Sequence, residues 1–552
     1  SKSIGKRSTL WETLYLMGLM YKNTGDLKTS REYLKESVAV IEQIRNKVSG
    51  GEEARKLFSS DKQILKVYDV LIDVLLQLGQ TEEAMEYLQK NNENNLKAKF
   101  KALDVKFEDE KRNRALEEER VMKAKLDGIE EQIAREKEMA AGKQNAEKLR
   151  NLEGIKTIAE SEYLKFINQQ INVQPELSRY FNNSVQPTQF RKIKKQIPAD
   201  MALLSYLIGE NQVYIFAATT DTVIAKIINV PGETITKNVT AVLNIAKSHL
   251  GGFTPLDLVS GEAERQQIVN DVLQKDPYLK PFEELYHYLI RPVNAEIAGK
   301  KRLGIIPTGS LNYIPFQLLG KTLPSGKFSL LANQYAIFYT SSTDMLFRVI
   351  DAEEKNMSIL AFGNPDKSLP STEAEVQDIK RIFPSATVYL REEATEDKAK
   401  FAGEQFNVMH FATHGSLDYE DFSKSFLTMA GNPAKSEDGM LTLEELWGMD
   451  VMNHLNIVVL SACQTAVTKG SHESSPVSPA SGFLQNGVKS VVATLWKVDD
   501  EATSVLISEF YKNLRTMEAI DALRKAQVSL SQKPKYAHPY YWAGIVLLGD
   551  WR

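Results

Sequence analysis

Two short apolar runs, each ending at a reactive side chain, constrain this chain more than any other feature. One is Val408-Met409-His410-Phe411-Ala412-Thr413-His414-Gly415; the other is Ile457-Val458-Val459-Leu460-Ser461-Ala462-Cys463-Gln464-Thr465. Runs of this kind read as strands buried on both faces, the kind found in parallel sheets, where reactive groups collect beyond the carboxyl ends of the strands. Cys463 is the single cysteine among 552 residues. That excludes an internal disulfide and a multi-cysteine zinc site, and it makes the reducing cytoplasm the expected compartment.

Around these runs the final third alternates strand and helix. Strands are expected at 358–362, 387–390, 408–411, 457–460 and 490–495, with helices near 371–383, 395–401 and 443–449 and two more at 501–514 and 518–531. This is the rhythm of a mostly parallel α/β sheet covered on both faces. Ahead of it, 203–208, 213–218 and 223–228 read as an antiparallel meander. Helices near 234–250, 262–273 and 279–298 follow, then a buried strand at 303–307. That part holds His249 and His287 but no cysteine.

The first third is different in kind. Leu14, Met17, Gly18, Tyr21, Gly25, Ser30, Leu34 and Ser37 fall at the large and small positions of a tetratricopeptide repeat, and Tyr68, Leu71, Leu75, Gly79, Ala84 and Leu88 repeat the pattern. From 91 to about 158 the chain is densely charged, and Met122, Leu126, Ile129 and Ile133 make a narrow apolar seam along a long helix or helical hairpin. The division expected is 1–92 tetratricopeptide-like, 93–194 long helix or hairpin with linker, 195–345 a first α/β part and 346–552 a second.

A net charge of -4 gives no general pull toward nucleic acid or anionic membrane, so direct nucleic-acid binding is not expected. No signal peptide, membrane span or phosphate loop is read from the residues, and the seven histidines show no metal-ligand spacing, so no cofactor or metal is expected.

The chemistry these residues suit is cysteine proteolysis, which needs a nucleophilic thiolate, a base and donors for the developing oxyanion. Cys463 is the candidate nucleophile, and the small Ser461 and Ala462 before it let the chain turn. His414 is the candidate base, because it stands at a strand end beside Gly415. His410 lies inside the strand and reads as a buried, hydrogen-bonded packing residue. The N–H groups of Gly415 and Cys463 are the candidate oxyanion hole. From 414 to 463 the interval is 49 residues, close to the roughly 50 between the histidine and cysteine of caspases.

These two runs, with Phe362-Gly363-Asn364-Pro365, Ala493-Thr494-Leu495-Trp496-Lys497-Val498-Asp499-Asp500 and His538-Pro539-Tyr540-Tyr541-Trp542-Ala543-Gly544, resemble the CHAT domain family over about residues 195–552. Those are caspase-like peptidases joined to tetratricopeptide repeats and similar to separase. The resemblance implies a caspase-hemoglobinase α/β fold, catalytic His414 and Cys463, and a degenerate caspase-like subdomain at 195–345. It also implies a regulated endopeptidase of bacterial defence, activated by a protein or ribonucleoprotein that engages the helical region. By likeness to separases, Asp500, with Asp499 behind it, is expected to receive a basic P1 side chain. Asp499 and Asp500 also read as an ordinary helix N-cap. The polar segment 469–479 stands where many family members are glycine-rich, and reads either as an activation loop or as a variable surface loop. The alternative function is a catalytically silent, repeat-containing scaffold that binds protein.

Overall fold

The computed structural model describes residues 2–47, 62–101, 110–137, 145–174, 177, 190–247, 276–326, 328–347, 357–400, 402–403, 405–416, 418, 424–435, 437–449, 452, 454–461 and 478–552. Two compact units divide the chain. The first holds 1–80 and 97–187; the second holds 81–96 and nearly everything from 188 onward. The expected helix at 262–273, the segment 469–479 and Cys463 lie outside the described residues.

In the first unit, helices Lys2–Asn23 and Leu27–Lys47 form a hairpin that turns at Gly25, whose φ of 85° suits a residue without Cβ. The small positions of the repeat explain themselves. A Cβ on Gly18 would fall 2.6 Å from Leu34, so only glycine lets the two helices approach this closely. Ser30 and Ser37 are buried and return hydrogen bonds to the Gly18 and Trp11 carbonyls at 2.7 and 2.8 Å. Helix Lys62–Gln77 repeats the pattern and is followed by a turn at Gly79, φ 73°. The charged stretch is a helical hairpin, Glu110–Lys137 and Ala146–Val173, closed on the seam Leu126, Ile129, Ile133, Leu149, Leu152 and Ala159. Asn145 caps the second helix by accepting from the Glu147 and Lys148 N–H groups. Ion pairs such as Lys137–Glu153 (2.8 Å) decorate an exposed face and add little, so the narrow seam holds the hairpin.

The second unit is built on one sheet. Its strands are β1 (Met201–Ile208), β2 (Val213–Ala218), β3 (Val223–Ile228), β4 (Arg302–Ile306), β7 (Ala336–Tyr339), β8 (Ile359–Gly363), β9 (Thr387–Leu390), β10 (Val408–Ala412), β14 (Ile457–Ser461), β15 (Ser490–Thr494) and β16 (Ile545–Gly549). Smaller pairings use β5 (Gly320–Thr322) with β6 (Phe328–Leu330), and β11 (Gly415–Ser416) with β12 (Phe426–Thr428) and β13 (Met440–Thr442). Among the described residues the large sheet runs β3-β2-β1-β4-β7-β16-β15-β14-β10-β8-β9. The β1–β3 meander is antiparallel, and every other neighbouring pair is parallel except β15 with β16.

Strand β16 carries the topology. It pairs antiparallel with β15 on one side and parallel with β7 on the other, so one continuous sheet joins the 195–345 and 346–552 parts. Two of the resembling motifs meet at this seam. A Cβ on Gly544 would come within 2.5 Å of the Trp496 ring, and Trp496 Nε1 donates to the Tyr540 carbonyl at 3.1 Å. Helices Pro370–Ile382, Asp500–Leu514 and Ala519–Ser531 pack on the sheet through buried faces.

Candidate active site

Strand β10 is buried at all five positions because parallel neighbours flank it, β8 on one side and β14 on the other. Phe411 stacks on Phe362 and packs against Phe483. At the carboxyl end Thr413 stays buried and donates to the Thr428 carbonyl at 2.6 Å, while Thr428 N–H donates to the His414 carbonyl at 2.9 Å. These two bonds tie the exit of β10 to β12 and hold the backbone of His414. Its side chain, 40% exposed, is free to face solvent.

Sequence reasoning missed the residues that meet His414. His414 Nε2 lies 2.6 Å from Ser368 Oγ and 3.8 Å from Asp366 Oδ2. Asp366 Oδ1 accepts from Ser368 Oγ at 2.7 Å and from Ser368 N–H at 3.1 Å. Partial burial, the largest single influence on Asp366, pushes its carboxyl pKa up. The Ser368 hydrogen bonds and the His414 imidazole outweigh that and hold it below the ordinary value.

The loop carrying both residues leaves β8 in a demanding conformation. Asn364 (φ 50°), Lys367 (φ 67°) and Arg391 (φ 52°), at the ends of β8 and β9, are the positive-φ non-glycine residues among those described. Such residues cost on the order of 1–2 kcal/mol each and persist only where neighbours determine them. The restraints are visible. Asn364 N–H donates to the Ala412 carbonyl at 3.0 Å, Asn364 Oδ1 accepts from Leu369 N–H at 2.8 Å, and Asn364 Nδ2 donates to Glu373 Oε1 at 2.6 Å. Arg391 clamps Glu373 with two bonds of 2.9 and 3.0 Å, and Lys367 pairs with Glu392. Gly363, just before, has Leu390 and Val376 where a Cβ would stand, both at 2.9 Å.

Asp500, on the first turn of helix Asp500–Leu514, is exposed and within electrostatic reach of His414. Desolvation at that edge, and next the Asp499 charge, raise its pKa, against the lowering effects of His414 and Lys497. Asp499 is the N-cap of this helix, its carboxylate accepting from Ala502 N–H at 2.8 Å. Gly415 opens β11, paired with Leu427.

His410 is fully buried, its ring edge-on to Tyr511 at 5.7 Å. Its Nε2 lies 3.0 Å from Glu375 Oε1, but the alignment is too poor for a hydrogen bond, and Nδ1 has no partner among the described residues. It is a packing residue, as its place inside the strand implied, without the hydrogen bond expected of it.

Three carboxylates, Glu396, Glu437 and Glu445, converge closely enough to hold a cation. Lys400 Nζ already stands among them, at 2.7, 2.6 and 2.8 Å, so the positive charge there is the lysine's own. Among the described residues no helix is long and apolar enough to cross a membrane.

The model of the CHAT domain matches residues 279–550, and that of the tetratricopeptide repeat matches residues 12–43. Human tetratricopeptide repeat protein 28 is 25% identical over 329 residues, a match that covers 49% of this chain and 13% of that protein. The separase of a Saccharomyces cerevisiae separase–securin complex is 11% identical with a TM-score of 0.43, covering 100% of this chain and 48% of its own. The Arg-specific cysteine proteinase gingipain R of Porphyromonas gingivalis is 10% identical with a TM-score of 0.30, covering 57% of this chain and 74% of its own. The chain thus spans about an eighth of the curated relative it matches and about half of the separase chain. The strand-end motifs lie within the first match and most of the N-terminal helical hairpin within the second: the chain is similar to a tetratricopeptide repeat in its first part and to the CHAT domain in its second half.

Proposed function

We propose that the chain is a cysteine endopeptidase in which Cys463 is the nucleophile and His414 the base. The observation that carries this reading is the register of β10 and β14. Ala412 pairs with Ser461 across the two parallel strands; His414 is two residues past the one and Cys463 two residues past the other. Side chains just beyond the ends of adjacent parallel strands converge on one rim of a sheet. In the reaction proposed, His414 takes the Cys463 proton and the thiolate attacks the scissile carbonyl carbon. The C–N bond then breaks as the imidazolium protonates the leaving amine, and water, deprotonated by His414, releases the acyl group and restores the thiol. Gly415 and Cys463 N–H groups take the oxyanion role.

In this reading 346–552 is the catalytic part and 195–345 its degenerate caspase-like companion. The helical region, 1–194, receives a protein or ribonucleoprotein activator, in a cytoplasmic bacterial defence setting, and 469–479 is an activation loop. Asp500 receives a basic P1 side chain; its exposure, its carboxyl and its reach to His414 support that role, whereas Asp499 is already engaged as a cap.

The test is to incubate the wild type and Cys463→Ala with candidate protein partners. Discrete fragments are expected from the wild type alone. Identical patterns from both leave the scaffold reading, which the tetratricopeptide repeat favours. Asp500→Ala is expected to abolish cleavage after Arg or Lys while Cys463 still reacts with a thiol probe; undiminished cleavage removes Asp500 from the P1 site.

A further inference from the structure

The loop after β8 was marked in the sequence only as part of a motif, yet it supplies the Asp366 and Ser368 side chains that meet His414, and it contains two of the non-glycine residues at positive φ, Asn364 and Lys367. Backbone of this kind, held by Asn364, Glu373 and Arg391, is well suited to keeping a side chain in one place.

Counting protons gives the loop a specific task. Two contacts converge on Ser368 Oγ, at 2.7 Å from Asp366 Oδ1 and 2.6 Å from His414 Nε2. Each is too short to be stable without a proton between the heavy atoms. An ionised carboxylate supplies none, and a serine hydroxyl supplies one. If Ser368 donated to the imidazole, two acceptor oxygens would face each other at 2.7 Å. The consistent arrangement is Ser368 O–H to Asp366, and His414 Nε2–H to Ser368 Oγ.

We propose that Ser368, held by Asp366, fixes His414 as the Nε2–H tautomer and so leaves Nδ1 as the nitrogen that receives the Cys463 proton. The inference rests on the dyad reading above. The transfer is balanced: the S–H bond of Cys463 breaks, an N–H bond forms at Nδ1, and thiol plus neutral imidazole become thiolate plus imidazolium. Nε2 keeps its proton throughout. The positive charge created on the ring then points, through the Ser368 hydroxyl, at the Asp366 carboxylate, which favours the ion pair over the neutral pair. Asp366 and Ser368 act through His414 and are positioning residues, completing the logic of a base oriented by a third group.

Two readouts on the full chain test this. With nitrogen-15-labelled histidine, the His414 imidazole is assigned by its loss in His414→Ala, and its nitrogen shifts report the tautomer. The wild type and Ser368→Thr, which keeps the hydroxyl, are expected to show Nε2–H; Ser368→Ala is expected to show a mixture. Separately, the pH dependence of iodoacetamide alkylation reads Cys463 alone, since the chain has no other thiol. Its inflection is expected below the ordinary thiol value of about 8.5, and to rise by about one unit in Ser368→Ala and in Asp366→Asn. An Nδ1–H tautomer in the wild type, or an inflection unmoved in both variants, overturns the proposal. A wild-type inflection at the ordinary thiol value, unchanged in His414→Ala, overturns the dyad reading itself. Should Asp366→Asn fail to fold, Ser368→Ala, which removes one hydroxyl from an exposed loop, decides alone.

Discussion

The two ends of the large sheet use the same parallel strands to opposite purposes. Beyond β4 the chain turns inward. Thr308 is buried and donates to the Tyr206 carbonyl at 3.0 Å, Tyr339 donates to Gln317 at 3.0 Å, and Gln317 donates to the Ala543 carbonyl at 3.0 Å. These three groups are neutral and partnered, and the turn uses Gly309 at φ 54°, where a glycine pays no steric penalty. Beyond β8 and β10 the chain turns outward. Asn364, Lys367 and Arg391 adopt positive φ without being glycine, and the Asp366 and His414 side chains that meet there through Ser368 are titratable and partly exposed. Among the described residues the strained non-glycine backbone lies at the His414 rim, while the groups named beyond β4 are neutral, which is the distribution expected when one rim is built for chemistry and the other for stability.

The comparison breaks first, and by the largest amount, at His414. His414→Ala is expected to slow cleavage by about 10²- to 10⁴-fold, the usual contribution of a positioned base, with no loss of folded protein. A variant that cleaves like the wild type makes the charged rim no more catalytic than the neutral one.

Asn364 tests whether the strain is held by design. Asn364→Ala loses the bonds to Leu369 N–H and Glu373 and places a Cβ-bearing residue of low left-handed preference at φ 50°, for a cost of about 3 kcal/mol. Asn364→Gly loses the same bonds but relaxes the backbone, so its cost is expected to be smaller by about 1 kcal/mol. Thermal or denaturant unfolding compares the two. Equal costs would mean the left-handed backbone stores nothing.

Thr308 is the matched probe at the neutral rim. Thr308→Val removes one buried hydrogen bond, for about 1 kcal/mol, and is expected to leave the Cys463 alkylation profile where it was. A shifted profile would mean that the two rims are coupled through the sheet.

Much of this was legible in the sequence, for reasons the structure makes concrete. Nine of the eleven strands of the large sheet were anticipated, because buried β-branched runs such as Ile457–Leu460 have no other stable home. The two missed, β7 and β16, are short apolar runs whose partners lie far away in sequence, Tyr339 pairing with Leu548, and no local periodicity marks such a join. His414 announced itself by ending a strand. Asp366 and Ser368 did not, since Asn-Pro-Asp-Lys-Ser reads as an ordinary turn. What brings them to His414 is the register of β8 on β10, which pairs Gly363 with Ala412 and so releases both loops from the same edge. The signal available was the Phe-Gly-Asn-Pro motif, followed three positions past its glycine by an acid, on a strand that has to lie beside β10.

The smallest effect concerns buried charge elsewhere in the second unit, where neighbours Glu396 and Asp397 are displaced in opposite directions. Both are buried. Burial, with Glu437 and Glu445 adding to it against the pull of Lys400, raises the Glu396 carboxyl above its usual range. For Asp397 burial is again the largest influence, but the bonds from Lys435 and Asn432 overcome it and bring the carboxyl down to about 2. The signs then follow from linkage. A depressed carboxyl contributes stability above its unfolded value of about 3.9 and loses it as pH falls toward 2. A raised one is neutral below its unfolded value of about 4.3 and costs stability as pH climbs through its folded value. The thermal midpoint of the second unit is therefore expected to peak in the weakly acidic range and to fall on both sides. Asp397→Asn should flatten the acid limb, and Glu437→Gln, by removing a neighbouring charge from Glu396, the limb toward neutral pH. Because Lys400 binds all three glutamates at 2.6–2.8 Å, the second change is the smaller: the lysine keeps two carboxylates and the cluster keeps its charge balance closer to zero than before. A limb unchanged in either variant would assign that limb to other carboxyls.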